Sequence, residues 1–303
     1  MKKIIYVMLL IIIIPYIIVS IFIYDDEIKF SYTSNMIVRV KRNETGKIEE
    51  IPLEQYVVGV VSGEMPASFS KEALKAQAVA ARTYVMKRLS TNKKSEYDVI
   101  DTVQNQVYLD EEQQKSNWGS KYTEYSNKVK QAVLETRDEY LVYDGKIIDA
   151  LFFSTSIGVT ENSEDIFPNE IPYLRSVSST WDSVSPLYDK EYLYNLEKFY
   201  SLLGIKYNEN VTIEVISKTS TNRIRKIKIN GTTFTGWQVS NKLGLKSNYY
   251  TITQEGTTIK VVARGYGHGV GMSQYGAEGM AQAGYTYDEI LKHYYQGVEI
   301  KKI

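Results

Sequence analysis

Apolar residues fill positions 4–24 without a single charge, directly after Lys2 and Lys3. A helix rises about 1.5 Å per residue, so this run is long enough to cross a bilayer. The run ends in Ile-Phe-Ile-Tyr, whereas a cleaved signal peptide ends in small residues. We therefore predict an uncleaved signal anchor over residues 1–24, with a cytoplasmic N-terminus because positive charge stays inside. A buried soluble helix is the alternative, but such helices are rarely apolar on every face.

Along the rest of the chain, apolar residues recur with two different spacings, one typical of strands and one typical of helices. Positions 36–51 alternate around a turn at 43–46, which predicts a strand pair. Ser70 is a suitable N-cap for an alanine-rich helix from Lys71 to about Leu89. Further helices are predicted at 53–64, 122–135 and 235–243, with a last helix or pair of helices at 272–295. The valines within 53–64 would also tolerate a strand. Further strands are predicted at 139–143, 147–153, 211–217, 224–229 and 257–263.

This mixture of elements indicates an α+β fold, in one extracytoplasmic unit over 36–303 after a linker at 25–35. No internal repeat, low-complexity segment or proline-rich linker divides the unit. The stretch 190–248 is polar and hairpin-like, with a turn signal at Asn230-Gly231, and is predicted as a possible hairpin-rich subdomain. The expected architecture is a single interwoven α+β unit preceded by one transmembrane helix.

Composition and charge exclude several classes of function. Lysine and arginine total 36, and aspartate and glutamate total 36, with no long basic block, so a nucleic-acid partner is not expected. The chain has no cysteine, which removes disulfides, thiolate nucleophiles and cysteine-based metal sites. With only 2 histidines, a multi-histidine metal cage is excluded as well. The 26 tyrosines suit half-solvated packing or sugar-like ligands, but they are not a functional signal by themselves.

The first candidate for chemistry is Glu64, a lone carboxylate between an apolar segment and the alanine-rich helix. Apolar neighbours such as Val61, Met65 and Phe69 would remove water from it. Because desolvation disfavours the charged form, the pKa of Glu64 would rise toward neutrality, as a general acid requires. Spacing alone leaves the alternative of a solvated glutamate at a helix end, which is the commoner case.

The second candidate is a glycine-rich run at 264–277, which follows a predicted strand and precedes a predicted helix. Its alternate glycines free the backbone for positive φ and for close approach of a ligand. A nucleotide loop is excluded, since neither a Gly-x-Gly-x-x-Gly register nor a Gly-Lys-Ser/Thr sequence is present. His268, with Ser273 and Gln274 nearby, leaves a Ser-His-Asp hydrolase open. The alternative is a packed, hydrogen-bonded loop histidine.

The third candidate is the segment 152–165, a strand that runs into a loop dense in hydroxyls and carboxylates. Such a loop can hold sugar hydroxyls, or it can be an ordinary turn whose side chains bond their own backbone. Calcium binding by Glu161, Glu164 and Asp165 is also possible, although their spacing matches no EF-hand loop.

Together these segments resemble the stage II sporulation protein D family. The matching motifs are Gly63-Glu64-Met65-Pro66, the helical run 72–84, Gln106-Val107-Tyr108, Phe152-Phe153-Ser154-Thr155-Ser156 with Thr160-Glu161, Pro172-Tyr173-Leu174 and the run 267–277. The resemblance extends from about Arg39 to the C-terminus. The runs 75–84 and 267–277 are specific enough to make a chance match remote.

Members of this family are membrane-anchored lytic transglycosylases of endospore formers. The resemblance implies cleavage of the β-1,4 bond from N-acetylmuramic acid to N-acetylglucosamine in glycan strands without stem peptides, leaving a 1,6-anhydro end. One carboxyl can protonate the departing oxygen and then take the proton of the sugar's own 6-hydroxyl. Glu64 matches the family's catalytic glutamate and takes this role. The other residues expected to line the cleft are Gln77, Arg82, Tyr84, Gln106, Tyr108, Ser154, Thr155, His268, Ser273, Gln274 and Tyr275.

The resemblance also implies a place and partners. We expect the protein at the sporulation septum and the engulfing mother-cell membrane, acting in septal thinning with the amidase stage II sporulation protein P and the membrane protein stage II sporulation protein M. Some relatives are described as holding zinc through cysteine and histidine. This chain lacks cysteine and has Phe153 in the stretch where other members can carry histidine, so no cofactor or metal is expected. A non-catalytic glycan-binding or amidase-enhancing module is the alternative function.

Overall fold

The computed structural model describes residues 36–91 and 95–303, together with Ile13 and Ile28 as isolated positions. In this part of the chain, no helix is both long enough and apolar enough to span a membrane. The predicted anchor at 1–24 and linker at 25–35 fall outside the described residues, apart from those two positions.

Helices and strands are interspersed along the whole described chain, which confirms the predicted α+β class. The helices are α1 (Leu53–Glu64), α2 (Lys71–Thr91), α3 (Glu111–Trp118), α4 (Tyr122–Glu135), α5 (Ser163–Ile166), α6 (Leu196–Leu203), α7 (Gly236–Leu243), α8 (Gln274–Gln282) and α9 (Tyr287–Tyr294). The strands are β1 (Ile37–Lys41), β2 (Ile48–Pro52), β3 (Val99–Ile100), β4 (Glu139–Tyr143), β5 (Lys146–Ile147), β6 (Phe152–Phe153), β7 (Asp189–Asn195), β8 (Ile213–Lys218), β9 (Ile224–Ile229), β10 (Thr232–Thr235), β11 (Tyr250–Glu255), β12 (Thr258–Arg264), β13 (Met272–Ser273) and β14 (Glu299–Lys302).

Most element boundaries follow from local sequence signals. Helix α7 begins after Thr235, whose hydroxyl accepts the Gln238 N–H at 3.0 Å, and it ends at Gly244 with φ of 70°. Ser70 does precede α2, but its hydroxyl donates to Glu278 of α8 at 3.2 Å. The helix N-terminus is therefore tied to a distant helix.

One predicted strand is divided in the structure, and one region predicted as a helix or a pair is a pair. The expected strand at 147–153 is interrupted because the Leu151 N–H donates to the Asp149 carbonyl two residues back, at 2.9 Å. This tight turn leaves only the short strands β5 and β6 at its ends. The expected helical region at 272–295 is a pair, α8 and α9, separated at Gly284, where φ is 93°.

The sheets are small and mostly antiparallel. Their strand orders are β2-β1-β3, β14-β4-β5, β13-β6, β11-β12-β7 and β10-β9-β8. The pairing of β13 with β6 is parallel, with Met272 opposite Phe152 and Ser273 opposite Phe153. This pairing brings the glycine-rich run beside the hydroxyl-rich segment, although 119 positions separate Ser154 from Ser273.

Two clusters of buried hydrophobic residues support these helices and sheets. In the larger cluster, α2 packs against α1, α4, α8 and α9, and its alanines at 73, 76, 78, 80 and 81 are fully buried. Small side chains allow such close helix approach. The second cluster collects residues between Leu196 and Ala263, from α6, α7 and the sheets of β9 and β12. The subdomain boundaries predicted at 190–248 stay a prediction.

Candidate functional site

A groove of about 680 Å³ opens at the C-terminal end of α1. It is lined by Glu64, Pro66, Tyr84, Val103, Gln104, Asn105, Ala150, Leu151, Phe152, Phe153, Ser154, Phe167, Leu187, Tyr266, Gly267, His268, Gln274 and Tyr275. Among these residues Glu64 is the only carboxylate. The rest of the lining combines aromatic and aliphatic side chains with amides and hydroxyls, which suits a polar ligand that carries apolar ring faces.

Glu64 is partly buried at the last position of α1. Its Oε1 accepts the Val107 N–H at 2.6 Å, and in the described part of the chain Oε2 has no hydrogen-bond partner. Burial raises the pKa of Glu64 to about 7, and the Val107 hydrogen bond opposes that rise only in part. The carboxyl is therefore about half protonated at neutral pH, which is the state a general acid needs.

Gln274 joins the groove carboxyl to the helices behind it. Its Nε2 donates to the backbone carbonyl of Glu64 at 2.8 Å and lies 3.4 Å from Oε1 of Gln77. Gln77 is fully buried on α2. The end of α1 is thereby fixed against α8, so Glu64 is held by its backbone as well as by its side chain.

The glycine-rich loop forms the opposite wall and needs its glycines for close packing. At Gly271, φ is 83°, and a Cβ would lie 2.1 Å from the Leu151 carbonyl oxygen. At Gly269, φ is 89°, and a Cβ would lie 2.6 Å from Nη2 of Arg223. No side chain fits at either position, because both the backbone conformation and the space exclude it.

His268 lies in this loop between two phenylalanines, Phe153 and Phe167, with ring centroids 5.7 and 6.0 Å away. Its Nδ1 accepts the Val270 N–H at 3.0 Å. Burial first, and then the charge of Arg223, lower the pKa of His268 to about 4. The ring is therefore neutral at physiological pH and forms part of the wall.

The Ser-His-Asp interpretation is not supported. Ser273 donates to Oδ1 of Asp182 at 2.5 Å, and Asp182 also accepts from the hydroxyls of Ser156 and Ser179. Nδ1 of His268 instead accepts the backbone N–H of Val270. Serine and aspartate therefore belong to a buried structural network without the histidine.

The structure divides the predicted cleft residues into two groups. Glu64, Tyr84, Ser154, His268, Gln274 and Tyr275 line the groove. Gln77, Arg82, Gln106, Tyr108, Thr155 and Ser273 do not line it and are buried. Thr155, for example, is fully buried, and its hydroxyl lies 2.8 Å from that of Ser185. These six residues support the wall and are not positioned to contact a ligand directly.

Arg82 and Tyr108 show what the buried group does. Arg82 has no exposed surface and forms a two-pronged ion pair with Glu54 at 2.8 and 2.6 Å. Its third contact is the Glu139 carbonyl at 3.0 Å. Tyr108 stacks on Tyr56 with ring centroids 5.6 Å apart. The expectation that Arg82 and Tyr108 line the cleft is therefore corrected, because both side chains are committed to internal partners.

The acidic loop does not form a calcium site. Glu161 pairs with Arg223 at 3.0 Å, while Glu164 pairs with Arg175 and Asp165 with Arg225. Each carboxylate thus has its own arginine. Across the described residues, no group of three or more histidine, aspartate or glutamate side chains could hold a metal ion.

One groove contact was missed by the sequence motifs, the backbone N–H of Val107. The motif Gln106-Val107-Tyr108 is not helical, and burial alternates along it, with residues 106 and 108 buried and Val107 half-buried. An extended backbone sends alternate residues to opposite sides. This alternation describes side chains only, so no local signal indicates that the backbone N–H of Val107 meets Glu64, 43 positions away along the chain.

The fold and the groove together define a class of protein: an α+β protein in which one carboxylate, with its pKa raised by burial, lines a groove of aromatic and amide side chains among the described residues. Comparison with known sequences gives the family. A family model described as stage II sporulation protein matches residues 41–143. Stage II sporulation protein D of Bacillus subtilis strain 168 is 42% identical over 270 residues, which cover 88% of this chain and 79% of that protein. The chain belongs to the stage II sporulation protein D family.

Two further relatives show one similarity of the same strength and one that is weaker. Stage II sporulation protein D of Bacillus amyloliquefaciens is also 42% identical over 270 residues, covering 88% of this chain and 78% of that protein. The amidase enhancer of Bacillus subtilis strain 168 is more distant, at 29% identity over 80% of this chain and 40% of the enhancer. A region similar to this chain therefore also occurs as part of a longer protein.

Proposed function

We propose that the protein is a lytic transglycosylase that cleaves the β-1,4 bond between N-acetylmuramic acid and N-acetylglucosamine in denuded glycan strands. The observation that supports this most strongly is Glu64, the one carboxylate lining the groove, with its pKa raised to about 7 by burial. Two-carboxylate glycosidases need a second acid across the scissile bond. A single-acid mechanism fits a groove in which the described lining residues include only one carboxylate.

In this mechanism Glu64 acts twice. Oε1 is held by the Val107 N–H, so Oε2 carries the proton and donates it to the glycosidic oxygen as the bond to the anomeric carbon breaks. The resulting carboxylate then accepts the proton of the muramic 6-hydroxyl as that oxygen bonds to the anomeric carbon. The glycan strand ends in a 1,6-anhydro ring, and Glu64 regains its proton for the next cycle.

The biological setting is proposed from the family and from the N-terminal sequence. We propose that the uncharged run 4–24 anchors the protein in the membrane, with the groove outside the cytoplasm at the sporulation septum. There it would act in septal thinning and engulfment, with stage II sporulation proteins P and M as partners. An amidase partner would supply the glycan strands without stem peptides that this activity needs.

A non-catalytic module is the second candidate, and the amidase enhancer among the relatives favours it. An aromatic and amide-lined groove can bind glycan without cutting it. In that case the raised pKa of Glu64 would be a consequence of burial and would have no chemical use.

Product analysis with the full chain in detergent tests the proposal. Denuded glycan strands are incubated with the parent, with Glu64→Gln and with Glu44→Gln, whose carboxylate lies on an exposed turn. We expect 1,6-anhydro ends by mass spectrometry with the parent and with Glu44→Gln. We expect a loss of about a thousandfold in rate with Glu64→Gln, since the amide keeps the shape but cannot donate an acidic proton.

Two results would contradict the proposal. Glycan that binds to the parent but never acquires anhydro ends would favour the non-catalytic module. Cleavage by Glu64→Gln at the parent rate would show that another group supplies the proton.

A further inference from the structure

A second pocket, of about 230 Å³, lies beside the groove. Ile166 lines this pocket, and Phe167, the next residue, lines the groove. One short segment at the end of α5 therefore separates the two cavities. The two cavities are therefore neighbours, which makes the second pocket a candidate contact for a long ligand held in the groove.

The lining of the second pocket combines an aromatic ring with polar side chains. Trp237, in the first turn of α7, presents a partly exposed indole, and Asp165 and Arg225 form an ion pair beside it. A flat ring with hydrogen-bonding groups around it is the pattern that recognises the apolar face and the hydroxyls of a sugar ring.

Asn248 supplies an independent sign of a missing ligand. The residue is 2% exposed and lines the pocket, and its Nδ2 donates to the Ile224 carbonyl at 3.3 Å. Its Oδ1 is buried and has no hydrogen-bond partner among the described residues. A buried acceptor without a donor is costly, so an incoming N–H or O–H would be stabilised there.

The pocket is held in shape before any ligand arrives. The Ser220 hydroxyl donates to Oδ2 of Asp165 at 2.7 Å, and the Asn162 amide donates to Ser220 at 3.2 Å. These bonds fasten the 219–221 turn to α5. Binding therefore needs little ordering of the protein, which preserves affinity.

We propose that this pocket is a remote saccharide subsite, which takes one N-acetylhexosamine ring of the strand whose cleavage point lies in the groove. Its volume suits a single ring. The inference rests on the proposed function for the identity of the polymer. It adds that strands long enough to reach Trp237 bind more tightly than short ones.

Calorimetry on the full chain with the Glu64→Gln substitution, which prevents cutting, tests the subsite. The probes are N-acetylglucosamine oligomers, a disaccharide and a hexasaccharide. We expect Trp237→Ala to weaken binding of the hexasaccharide about tenfold and to leave the disaccharide unchanged. Trp118→Ala is the matched control, because Trp118 is partly exposed but lines neither cavity. Equal hexasaccharide affinity with and without Trp237 would overturn the proposal.

A second measurement leaves Trp237 in place and so does not depend on how Trp237→Ala folds. Replacing Trp118 and Trp181 by phenylalanine leaves Trp237 as the single tryptophan, whose emission is excited apart from that of the tyrosines. We expect its emission to shift with the hexasaccharide and not with the disaccharide, and the absence of a shift would overturn the subsite. If long oligomers bind through Trp237 but no anhydro ends ever form, the subsite stands and the proposed cleavage falls.

Discussion

Burial raises the pKa values of two carboxyls, Glu64 and Glu161, to about 7, yet their surroundings differ. Glu64 lines an open groove and has one backbone N–H as its partner. Glu161 has no exposed surface and pairs with the equally buried Arg223 at 3.0 Å. A perturbed pKa therefore does not identify a catalytic acid by itself, and access to a ligand separates the two residues.

The two carboxyls also serve different parts of the molecule. The backbone N–H of Glu161 donates to the Gly269 carbonyl at 2.7 Å, and Nη1 of Arg223 lies 3.3 Å from the Gly267 carbonyl. The pair thus supports the back of the loop that carries His268. Glu64 lies on the opposite wall and faces the groove. One region holds the geometry of the groove, and the other presents the proposed acid.

Arg223→Met should give the largest effect on stability. It leaves Glu161 buried without its counter-charge, and breaking one side of a buried pair costs about 3 kcal/mol or more. Urea denaturation near neutral pH measures the change. Adding Glu161→Leu to Arg223→Met should recover part of the loss, since no buried charge then remains. A single variant as stable as the parent would mean that Arg223 and Glu161 are not a coupled pair.

The pH dependence of cleavage should give the next largest effect. Only the protonated form of Glu64 donates, so the rate should fall above pH 7, by about a hundredfold at pH 9. Initial rates on denuded glycan between pH 5 and 9 measure this dependence. The Arg223→Met variant should keep the same inflection if enough of it folds. An inflection near pH 4.5, the ordinary value for glutamate, would show that burial does not perturb the acid.

Glu64→Gln should stabilise the fold at high pH, and this change in unfolding free energy should be smaller than the one expected for Arg223→Met. The pKa of Glu64 is higher in the folded state than in the unfolded chain, so its contribution is fully present below pH 4.5 and is lost as the pH rises through 7. Removing the ionisable group should therefore raise the unfolding free energy by about 2 kcal/mol at pH 9, a figure reduced because the side chain is only partly buried.

Paired denaturation curves at pH 4 and pH 9 measure this change. The two proteins should be equally stable at pH 4, where the carboxyl is protonated in both states. A gain of the same size at both pH values would instead point to better packing of the amide.

These contrasts also show what the sequence could and could not predict. The sequence placed Glu64 beside apolar neighbours and bounded α4 and β9 correctly, because periodicity and caps are local signals. It did not separate groove-lining residues from buried ones. Arg82 finds Glu54 28 positions away, and Arg223 finds Glu161 62 positions away along the chain. Such pairings depend on tertiary packing, which no local spacing records.

His268→Asn should give the smallest effect, and it bears on the opposite end of the pH range. The pKa of His268 is lowered to about 4 from 6.5, so its contribution to stability is present above pH 6.5 and is lost as the pH falls toward 4. The asparagine side chain can still accept the Val270 N–H but cannot take up a proton in this range. When the pH is lowered from 7 to 5, the unfolding free energy of the variant should therefore fall by about 1 kcal/mol less than that of the parent.

Cleavage provides the second readout for the same variant. If His268 only shapes the wall beside Phe153 and Phe167, His268→Asn should cut glycan at a rate within about tenfold of the parent and with the same inflection near pH 7. Complete loss of cleavage by this folded variant would show that His268 takes part in the reaction. The groove would then have to be understood as an acid acting together with an imidazole, and the contrast between an open carboxyl and a sealed one would no longer be enough to explain the reaction.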